Sequence, residues 1–519
     1  MNASLQIQLP DGYNREHIEA LLVDNYPFKV EEPVSEKWVF YDTFDWLLFN
    51  KSLTLHQSGQ WLLLRNLPDG GVLHRLIYTA APRFAWDLPD SPLKDHLQPI
   101  IEPRALLNLA GLSVQSCTYR VLDANGKTVA RIIYSDAHTT LDSSLAARTA
   151  YLSLQPVRGY PKYARGLTEL LEQAGFAFSN WEDLYLLTLE AVGQNPGSYS
   201  SKIDVQLEPE MRSDDATKII LRRLLHVMRA NQAGIRADTD IEFLHDYRVA
   251  IRRTRSALSQ VRDVFPANTT TRFKEDFAYL GKFTNELRDL DVYLLSEDKY
   301  RDMLPDVLRD DISPLFEYLR VKREFVLKGV SDHLDSERYA QIISDWEVFL
   351  NEPVSEIPEA ANATMSIIDL AQWRIYKRYR RTIKDGNFLL DHPQAELMHA
   401  LRIDCKKLRY LIEFFASLFP PNKIRQLINQ LKRLQDNLGD FNDLSVQQEY
   451  LLSIAGELPI NDMGSRRALL ATGSLVESLA NRQRQVQEDF AETFTNFASP
   501  ENQELYQQLY AGRERRAVS

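Results

Sequence analysis

Two segments of this sequence carry the same basic pattern, HDYRVAIRRTR at residues 245–255 and HALRIDCKKLR at residues 399–409. On an α-helix, at about 100° per residue, the first, fourth, eighth and eleventh positions of this pattern fall within about 80° of arc. The pattern therefore predicts one cationic helix face that is present twice. We call these faces the ridges: the first comprises His245, Arg248, Arg252 and Arg255, and the second comprises His399, Arg402, Lys406 and Arg409.

The repeat extends on both sides of the ridges. Upstream, Arg222, His226 and Arg229 have the same spacing as Lys377, Arg381 and Lys384. Downstream, LRDLD at residues 287–291 resembles LGDFN at residues 438–442, with Lys282 and Arg433 just before them. A tandem duplication of about 155 residues, with several helices in each copy, accounts for this pattern.

Length and composition indicate a globular chain of two to four domains, with 519 residues of which 44% are hydrophobic. Only Cys117 and Cys405 are present, so neither a disulfide framework nor a thiolate zinc site is predicted. No stretch approaches the roughly 20 apolar residues of a membrane span, and the first residues lack a signal-peptide pattern. We therefore expect a cytoplasmic location without membrane partners.

The hydrophobic pattern divides the chain into two parts. Residues 1–160 alternate apolar and polar positions, which predicts antiparallel strands at 5–9, 38–41, 53–56, 61–64, 73–78, 129–134 and 151–155. Residues 68–71 (PDGG) and 125–126 (NG) are typical of hairpin turns. Helices are predicted at 164–174 and 181–192, and a Gly- and Pro-containing linker follows at 193–204.

From about residue 210 the pattern is helical. Prolines predict the ends of helices, and they stand at Pro266, Pro305, Pro353, Pro358, Pro393, Pro420, Pro421 and Pro459. We therefore predict an α+β chain, with an antiparallel β-barrel followed by an all-α region of tandem four-helix bundles.

Positive charge is concentrated locally, although the formal net charge of the chain is −11. Six of the twelve residues at 373–384 are Lys or Arg and none is Asp or Glu. Because local potential rather than net charge determines what binds, an anionic partner remains consistent with the sequence.

The paired ridges and the LRDLD and LGDFN segments closely resemble the CHAD domain, the conserved-histidine α-helical domain. The resemblance covers residues 205–512, with one repeat at 205–350 and the other at 360–512. It implies two four-helix bundles related by a pseudo-two-fold axis, and a basic groove between them that binds inorganic polyphosphate. Association with polyphosphate granules is a further expectation.

The resemblance and the cationic pattern together predict the polyphosphate-binding residues. They are Arg222, His226, Arg229, His245, Arg248, Arg252, Arg253, Arg255, Lys282, Arg288, Lys377, Arg378, Arg381, Lys384, His399, Arg402, Lys406, Lys407, Arg409 and Arg433. Arginine suits this chemistry because its guanidinium group binds phosphate oxygens in a bidentate manner. Asp289 and Asp440 are interpreted as caps or as partners of a neighbouring Arg rather than as metal ligands.

Residues 1–192 resemble, more weakly, the CYTH or triphosphate-tunnel fold, through Tyr41-Asp42-Thr43, residues 53–56 and residues 61–65. Enzymes of that family carry acidic and basic residues on three strands. Here those positions hold Ser4, Gln6 and Gln8, then Thr54 and His56, then Tyr151, Ser153 and Gln155. Because metal-assisted hydrolysis needs carboxylates to hold divalent cations, we expect no catalytic residues, metal or cofactor in this domain.

Two alternatives stay open. The first is an enzyme, a triphosphatase or a nucleotidyl cyclase that acts through the amino-terminal domain. The second is a nucleic-acid-binding scaffold, in which Tyr376 and Tyr379 stack on bases between the cations. The sequence leaves the oligomeric state open.

Overall fold

A computed structural model describes residues 5–9, 13–139, 148–457 and 463–511 of the chain. These residues form two compact units, divided between Ser200 and Ser201. The first unit contains a β-sheet and four described helices, and the second consists of helices and their connections. Ser4, Pro459 and residue 512, which the sequence analysis named, lie outside the described ranges.

The sheet of the first unit contains ten described strands, and every pair of neighbours is antiparallel. The strands are β1 (Leu5–Gln8), β2 (Phe28–Val30), β3 (Val34–Asp42), β4 (Leu53–Ser58), β5 (Trp61–Asn66), β6 (Val72–Ile77), β7 (Leu107–Leu122), β8 (Thr128–Thr139), β9 (Arg148–Pro156) and β10 (Ala177–Ser179). Within the described residues they are ordered β10-β1-β9-β8-β7-β3-β4-β5-β6, and β2 pairs with β7. The sheet is therefore a half-barrel with β6 and β10 at its edges.

The predicted strands are all present, and the predicted turns join β5 to β6 and β7 to β8. Gly70 and Gly126 have positive φ angles of 67° and 76°, as these tight turns require. The longest strand, β7, was not predicted from the sequence; it pairs with both β3 and β8. Its glycine and serine residues, at Gly111, Ser113 and Ser116, have low strand propensity, and tertiary pairing overrides it.

Helices cover both faces of the half-barrel. They are α1 (Arg15–Val23), α2 (Pro92–Ile101), α3 (Pro161–Gln173) and α4 (Trp181–Glu190). Successive strand residues point to opposite faces, so α2 packs with Tyr41 and Leu55 whereas α4 packs with Phe40 on the other face. The face under α4 carries Thr54, His56 and Tyr151, and we call it the tunnel face.

The second unit contains thirteen α-helices within the described residues. They are α5 (Ser213–Arg236), α6 (Ile241–Gln260), α7 (Ala267–Lys282), α8 (Asn285–Leu295), α9 (Glu297–Asp302), α10 (Ser313–Leu334), α11 (Glu337–Asn351), α12 (Ile367–Asp391), α13 (Ala395–Phe414), α14 (Pro421–Glu457), α15 (Met463–Glu488), α16 (Phe490–Phe497) and α17 (Pro500–Tyr510). The described prolines that were predicted to end helices all lie at or between helix termini.

The duplication is visible in the helix boundaries. Helix α5 begins at Ser213 and α12 begins 154 residues later, at Ile367. Helix α6 begins at Ile241 and α13 begins 154 residues later, at Ala395. We call α5–α11 the first copy and α12–α17 the second copy. The first copy breaks between α7 and α8, whereas α14 runs through the equivalent position.

Equivalent elements of the two copies contact each other. Helix α5 packs against α12, α6 packs against α13, and Arg212 forms a β-bridge with Ser366, its counterpart at the same offset of 154. An element that contacts its own counterpart lies next to a two-fold axis. This arrangement brings the two ridges together, because one lies on α6 and the other on α13.

The offset corrects one part of the predicted repeat. At 154 residues, Arg222 corresponds to Tyr376 and His226 corresponds to Arg380. The predicted correspondence of Arg222 with Lys377 was therefore wrong by one residue. One residue turns a helix by about 100°, so α5 and α12 present their cations on different faces.

Candidate functional site

The ridges lie on two amphipathic helices. On α6, Asp240 caps the amino terminus by accepting hydrogen bonds from the backbone of Glu242 and Phe243. Tyr247 and Ile251 of α6 are buried, as are Leu401 and Leu408 of α13. The cations beside these core positions are held at the edge of a packed interface, where they are only partly hydrated.

Arg252 and Lys406 form the centre of the site. They are counterparts in the two copies, and both are half-buried. The pKa of Lys406 is lowered to about 8, first because the ammonium is desolvated and then because Arg402 and Arg252 lie nearby, with Asp443 acting in the opposite sense. Within the described residues neither Arg252 nor Lys406 forms an ion pair. This centre therefore carries positive charge without a counter-ion from the protein.

Arg248 flanks the centre on the first ridge. Its Nη1 donates to Thr284 Oγ1 at 2.7 Å and to the Gly281 carbonyl at 3.3 Å, and both acceptors are uncharged. Burial and the nearby Arg252 lower the pKa of Arg248 to about 10, whereas Asp289 acts to raise it. The break between α7 and α8 places Thr284 here, and Asp289 is an electrostatic partner of Arg248 as the sequence predicted.

Helix α14 holds the second ridge in place. Arg402 donates to Asp443 at 3.0 Å, and His399 Nδ1 lies 2.6 Å from Asn442 Oδ1. The Nε atoms of Arg248, Arg252 and Arg402 are buried and have no hydrogen-bond partner among the described residues. These Nε atoms are therefore desolvated without a compensating hydrogen bond, which adds to the cost of placing cations here.

The cations at one end of the site are neutralised by the protein. Arg253 on α6 and Arg409 on α13 both donate to Glu413, at 2.9 Å and 2.7 Å. A cavity of about 270 Å³ lies here, lined by Ser201, His245, Asp246, Val249, Arg253, Lys406, Arg409, Tyr410, Glu413 and Gln435. Arg255 is exposed, and no ion pair is formed by it within the described part of the chain.

Several predicted residues lie away from the ridges. Arg222 donates to the carbonyl of Leu350, near the end of α11, and Arg229 pairs with Glu347 of the same helix. Arg288 lies 3.6 Å from Glu242, at the start of α6. The remaining three, His226 on α5, Lys282 at the end of α7 and Arg433 on α14, are exposed.

The predicted cations of α12 also lie apart from the ridges. Arg378 and Arg381 donate to Asp404 at 2.7 Å and 2.9 Å, and Lys407 lies 3.9 Å from it. Asp404 precedes Lys406 by two residues, so it lies about 160° away from Lys406 around α13. Lys377 and Lys384 are exposed on the outer face of α12.

Of the two tyrosines that the nucleic-acid alternative invoked, Tyr379 is not accessible to a base. Tyr379 is buried and stacks on Tyr506, with ring centroids 3.7 Å apart. It is therefore a packing residue and is not available to stack on a base. Tyr376 is half-buried.

Sequence reasoning missed some residues that shape these surfaces. Arg374 is nine-tenths buried, and burial together with Arg262 lowers its pKa to about 10. Thr284 and Gln435 gave no signal, because their role depends on tertiary placement alone. Asn442 stood in the repeated LGDFN segment, but only the structure shows that it contacts His399.

The tunnel face of the first unit is filled by an aromatic side chain from α4. The indole of Trp181 donates to Thr54 at 3.1 Å, lies over Arg65 at 4.7 Å and contacts His56, with ring centroids 5.5 Å apart. His56 is fully buried, and its ring nitrogens have no hydrogen-bond partner among the described residues. Tyr151 and Ser153 are buried on β9, in line with their predicted place.

Asp42, the acid of the Tyr41-Asp42-Thr43 segment, has a structural role. Its carboxylate accepts from the backbone amides of Thr43, Leu48 and Phe49 at 2.7–2.9 Å. Burial raises its pKa to about 6 despite these bonds. Within the described residues no group of three or more His, Cys, Asp or Glu side chains is placed to hold a metal ion.

The geometry defines an all-helical domain built from two related copies, with cations from both copies at their junction. Residues 219–452 match the family model described as CHAD domain, so the chain contains a CHAD domain. No helix in the described part of the chain has the length and apolar character needed to cross a membrane.

Relatives and solved structures resemble this chain over about half its length. Uncharacterized proteins from two strains of Mycobacterium tuberculosis are 23% identical over 302 residues, which cover 55% of this chain and 56% of theirs. The chain thus spans just over half the length of these curated relatives.

Two solved structures are similar to more than half of the chain. The crystal structure of the CHAD domain from the plant Ricinus communis has a TM-score of 0.48 and 23% identity, and covers 57% of this chain and 96% of its own. PptA from Streptomyces chartreusis has a TM-score of 0.43 and 15% identity, and covers 55% of this chain and 100% of its own.

Replacing Lys406 by Met should stabilise the anion-free protein. The substitution keeps much of the buried side-chain volume but removes a charge that is desolvated and repelled by Arg252 and Arg402. We expect the free energy of unfolding to rise by about 1–3 kcal/mol, measured by thermal unfolding. Lys274→Met is the control, because it removes an exposed lysine of α7; equal effects of the two changes would contradict our account of the centre.

Proposed function

We propose that the helical domain binds inorganic polyphosphate along the two ridges. The observation that supports this most directly is the centre, where Arg252 and Lys406 are half-buried side by side without a carboxylate partner in the described residues. A buried charge that lacks compensation destabilises a fold by several kcal/mol, so an anion from outside would be bound favourably.

A polymer of phosphates suits this surface better than a single small anion. The cations extend in a row along each helix, from His245 to Arg255 and from His399 to Arg409, over roughly 15 Å. Guanidinium groups such as those of Arg248, Arg252 and Arg402 bind phosphate oxygens in a bidentate manner. The CHAD family is associated with polyphosphate, and binding to the polymer would bring the protein to polyphosphate granules.

The proposed contacts divide the predicted residues into groups. The centre and its neighbours, Arg248, Arg252, Arg402 and Lys406, contact the polymer directly. Arg253 and Arg409 pair with Glu413, and Arg222 and Arg229 bind acceptors on α11. These four arginines therefore stabilise the packing of the helices around the ridges.

Charge reversal at the centre should abolish most of the binding. We expect Arg252→Glu with Lys406→Glu to weaken binding of long-chain polyphosphate at least about 100-fold, since each hydrogen bond to a charged group contributes about 1.5–3 kcal/mol. Calorimetric titration measures the affinity, and the dependence on salt should become shallower because fewer counterions are released.

Lys274→Glu with Lys328→Glu is the matched control, because both lysines are exposed on helices away from the ridges. Circular dichroism establishes that helicity is retained. An unchanged affinity in the centre variant, with intact helicity, would rule out the ridges as the binding site.

The affinity should also depend on pH through Lys406. Its pKa is about 8 in the free protein, and a bound polyanion would raise it, so the complex holds more protons than the free protein above pH 8. We therefore expect affinity to fall as the pH rises from 7 to 9. Lys406→Arg should flatten this dependence, because arginine stays protonated; an unchanged pH profile in that variant would show that another group is responsible.

We further propose that the amino-terminal domain is not a hydrolase. Trp181 occupies the tunnel face, and Thr54, His56, Tyr151 and Ser153 stand where metal and phosphate would be held. Glu36 is an acidic residue of the neighbouring strand β3, and it accepts hydrogen bonds from Trp38 and Ser58. These side chains supply too few ligands to hold divalent cations. The negative charge that develops on the phosphate during hydrolysis would therefore not be neutralised.

The full-length protein should therefore release no phosphate from tripolyphosphate or nucleoside triphosphates above background with Mg²⁺ or Mn²⁺. A colorimetric phosphate assay measures this. Metal-dependent release that a chelator abolishes would instead support the enzyme alternative.

A further inference from the structure

The outer face of α12 carries two exposed aromatic residues with cations between them. Trp373 and Phe388 are 39% and 52% exposed, and they lie 15 residues apart, or about 22 Å along the helix. Lys377 and Lys384 fall on the same face, because the successive spacings of 4, 7 and 4 residues place all four side chains within about 60° of arc. We call this surface the α12 patch.

The α12 patch is separate from the ridges. Arg378 and Arg381 of α12 bind Asp404, which lies on the side of α13 opposite to Lys406. The duplication did not produce the patch, because at the offset of 154 residues the first copy lacks its main features. The counterparts of Trp373, Lys384 and Phe388 are Ile219, Ala230 and Gly234.

The local geometry combines cations with an accessible ring. The Lys377 ammonium lies 5.7 Å from the centroid of the Trp373 ring, and the Arg374 guanidinium lies 4.7 Å from it. An open cavity of about 850 Å³ runs along the patch and is lined by Trp373, Lys377, Arg380, Arg381, Lys384 and Asp385. The acidic residue Asp385 accepts a hydrogen bond from Arg381 at 3.3 Å, which offsets its charge.

We propose that the α12 patch binds single-stranded nucleic acid. Lys377 and Lys384 contact backbone phosphates. Trp373 stacks on a base at one end of this cationic stretch, and Phe388 does so at the other end through the ring face that is not stacked on His392. Aromatic side chains that alternate with cations are the combination used by proteins that bind single strands without sequence preference. The proposal is independent of the polyphosphate proposal, because it uses a different surface.

Other anionic partners fit the patch less well. Polyphosphate and acidic peptides would use the lysines but give no role to two exposed aromatic rings. A membrane surface needs a continuous apolar face on the helix, whereas here the cations separate Trp373 from Phe388. A base with an attached phosphate satisfies both kinds of side chain.

The test uses the full-length protein and a fluorescent oligoadenylate of about 16 nucleotides, which matches the upper site size of a single-strand binding fold. Fluorescence anisotropy measures its affinity, and titration with polyphosphate runs in parallel. Trp373→Ala and Phe388→Ala should each weaken oligonucleotide binding about tenfold, as expected from base stacking, and leave polyphosphate affinity unchanged. Trp373→Phe should retain most of the binding.

Matched variants identify the surface. Lys377→Gln with Lys384→Gln should weaken oligonucleotide binding, whereas Phe325→Ala and Lys274→Gln with Lys328→Gln, all at exposed positions elsewhere, should not. Arg252→Glu with Lys406→Glu should lose polyphosphate binding and keep oligonucleotide binding, which separates failure of this proposal from failure of the polyphosphate proposal.

Three results would overturn the proposal. The first is absence of oligonucleotide binding to the wild-type protein. The second is loss of polyphosphate binding in the lysine variant without any effect of the aromatic variants, which would make the patch an extension of the polyphosphate surface. The third is binding to vesicles that contain phosphatidylserine but not to the oligonucleotide, which would identify a membrane contact.

Discussion

Like charges meet where the two copies of the helical repeat pack against each other. A duplicated domain with a two-fold axis places each residue near the axis beside its own counterpart. A ridge of cations on α6 must therefore face a ridge of cations on α13, and Arg252 must lie close to Lys406. Packing of the hydrophobic faces of both helices forces this repulsion on the fold, and the surrounding structure is arranged around it.

The protein neutralises the periphery of this junction and leaves its centre charged. Glu413 holds Arg253 and Arg409, and its counterpart in the first copy is Ser259. Asp404 likewise holds the cations of α12, and its counterpart is Ala250. Each of these two carboxylates is thus present in the second copy only, beside the cations with which it pairs. Within the described residues, Arg252 and Lys406 have no such carboxylate partner.

The strands of the first unit and the helices of the second could be predicted because each kind of element has its own hydrophobic periodicity. Alternation gave the strands, and the spacing of His245, Arg248 and Arg252 gave a helix face. Contacts between distant segments leave no such pattern. Nothing in the sequence ties Thr284 to Arg248 or Trp181 to Thr54, because both contacts depend on how the chain returns upon itself. The upstream repeat was misaligned by one residue because similar cations occur at neighbouring positions on α12.

The two units differ in what lies beside their buried cations. On the tunnel face of the sheet, Trp181 fills the space beside Thr54 and His56, and its ring also covers Arg65. Burial lowers the pKa of Arg65 to about 10 there, and the aromatic ring offers it a partial counter-charge. At the helical junction the charges remain and the space beside them stays open. Aromatic filling stabilises the sheet without a ligand, whereas the desolvated cations at the junction repel one another in the anion-free protein.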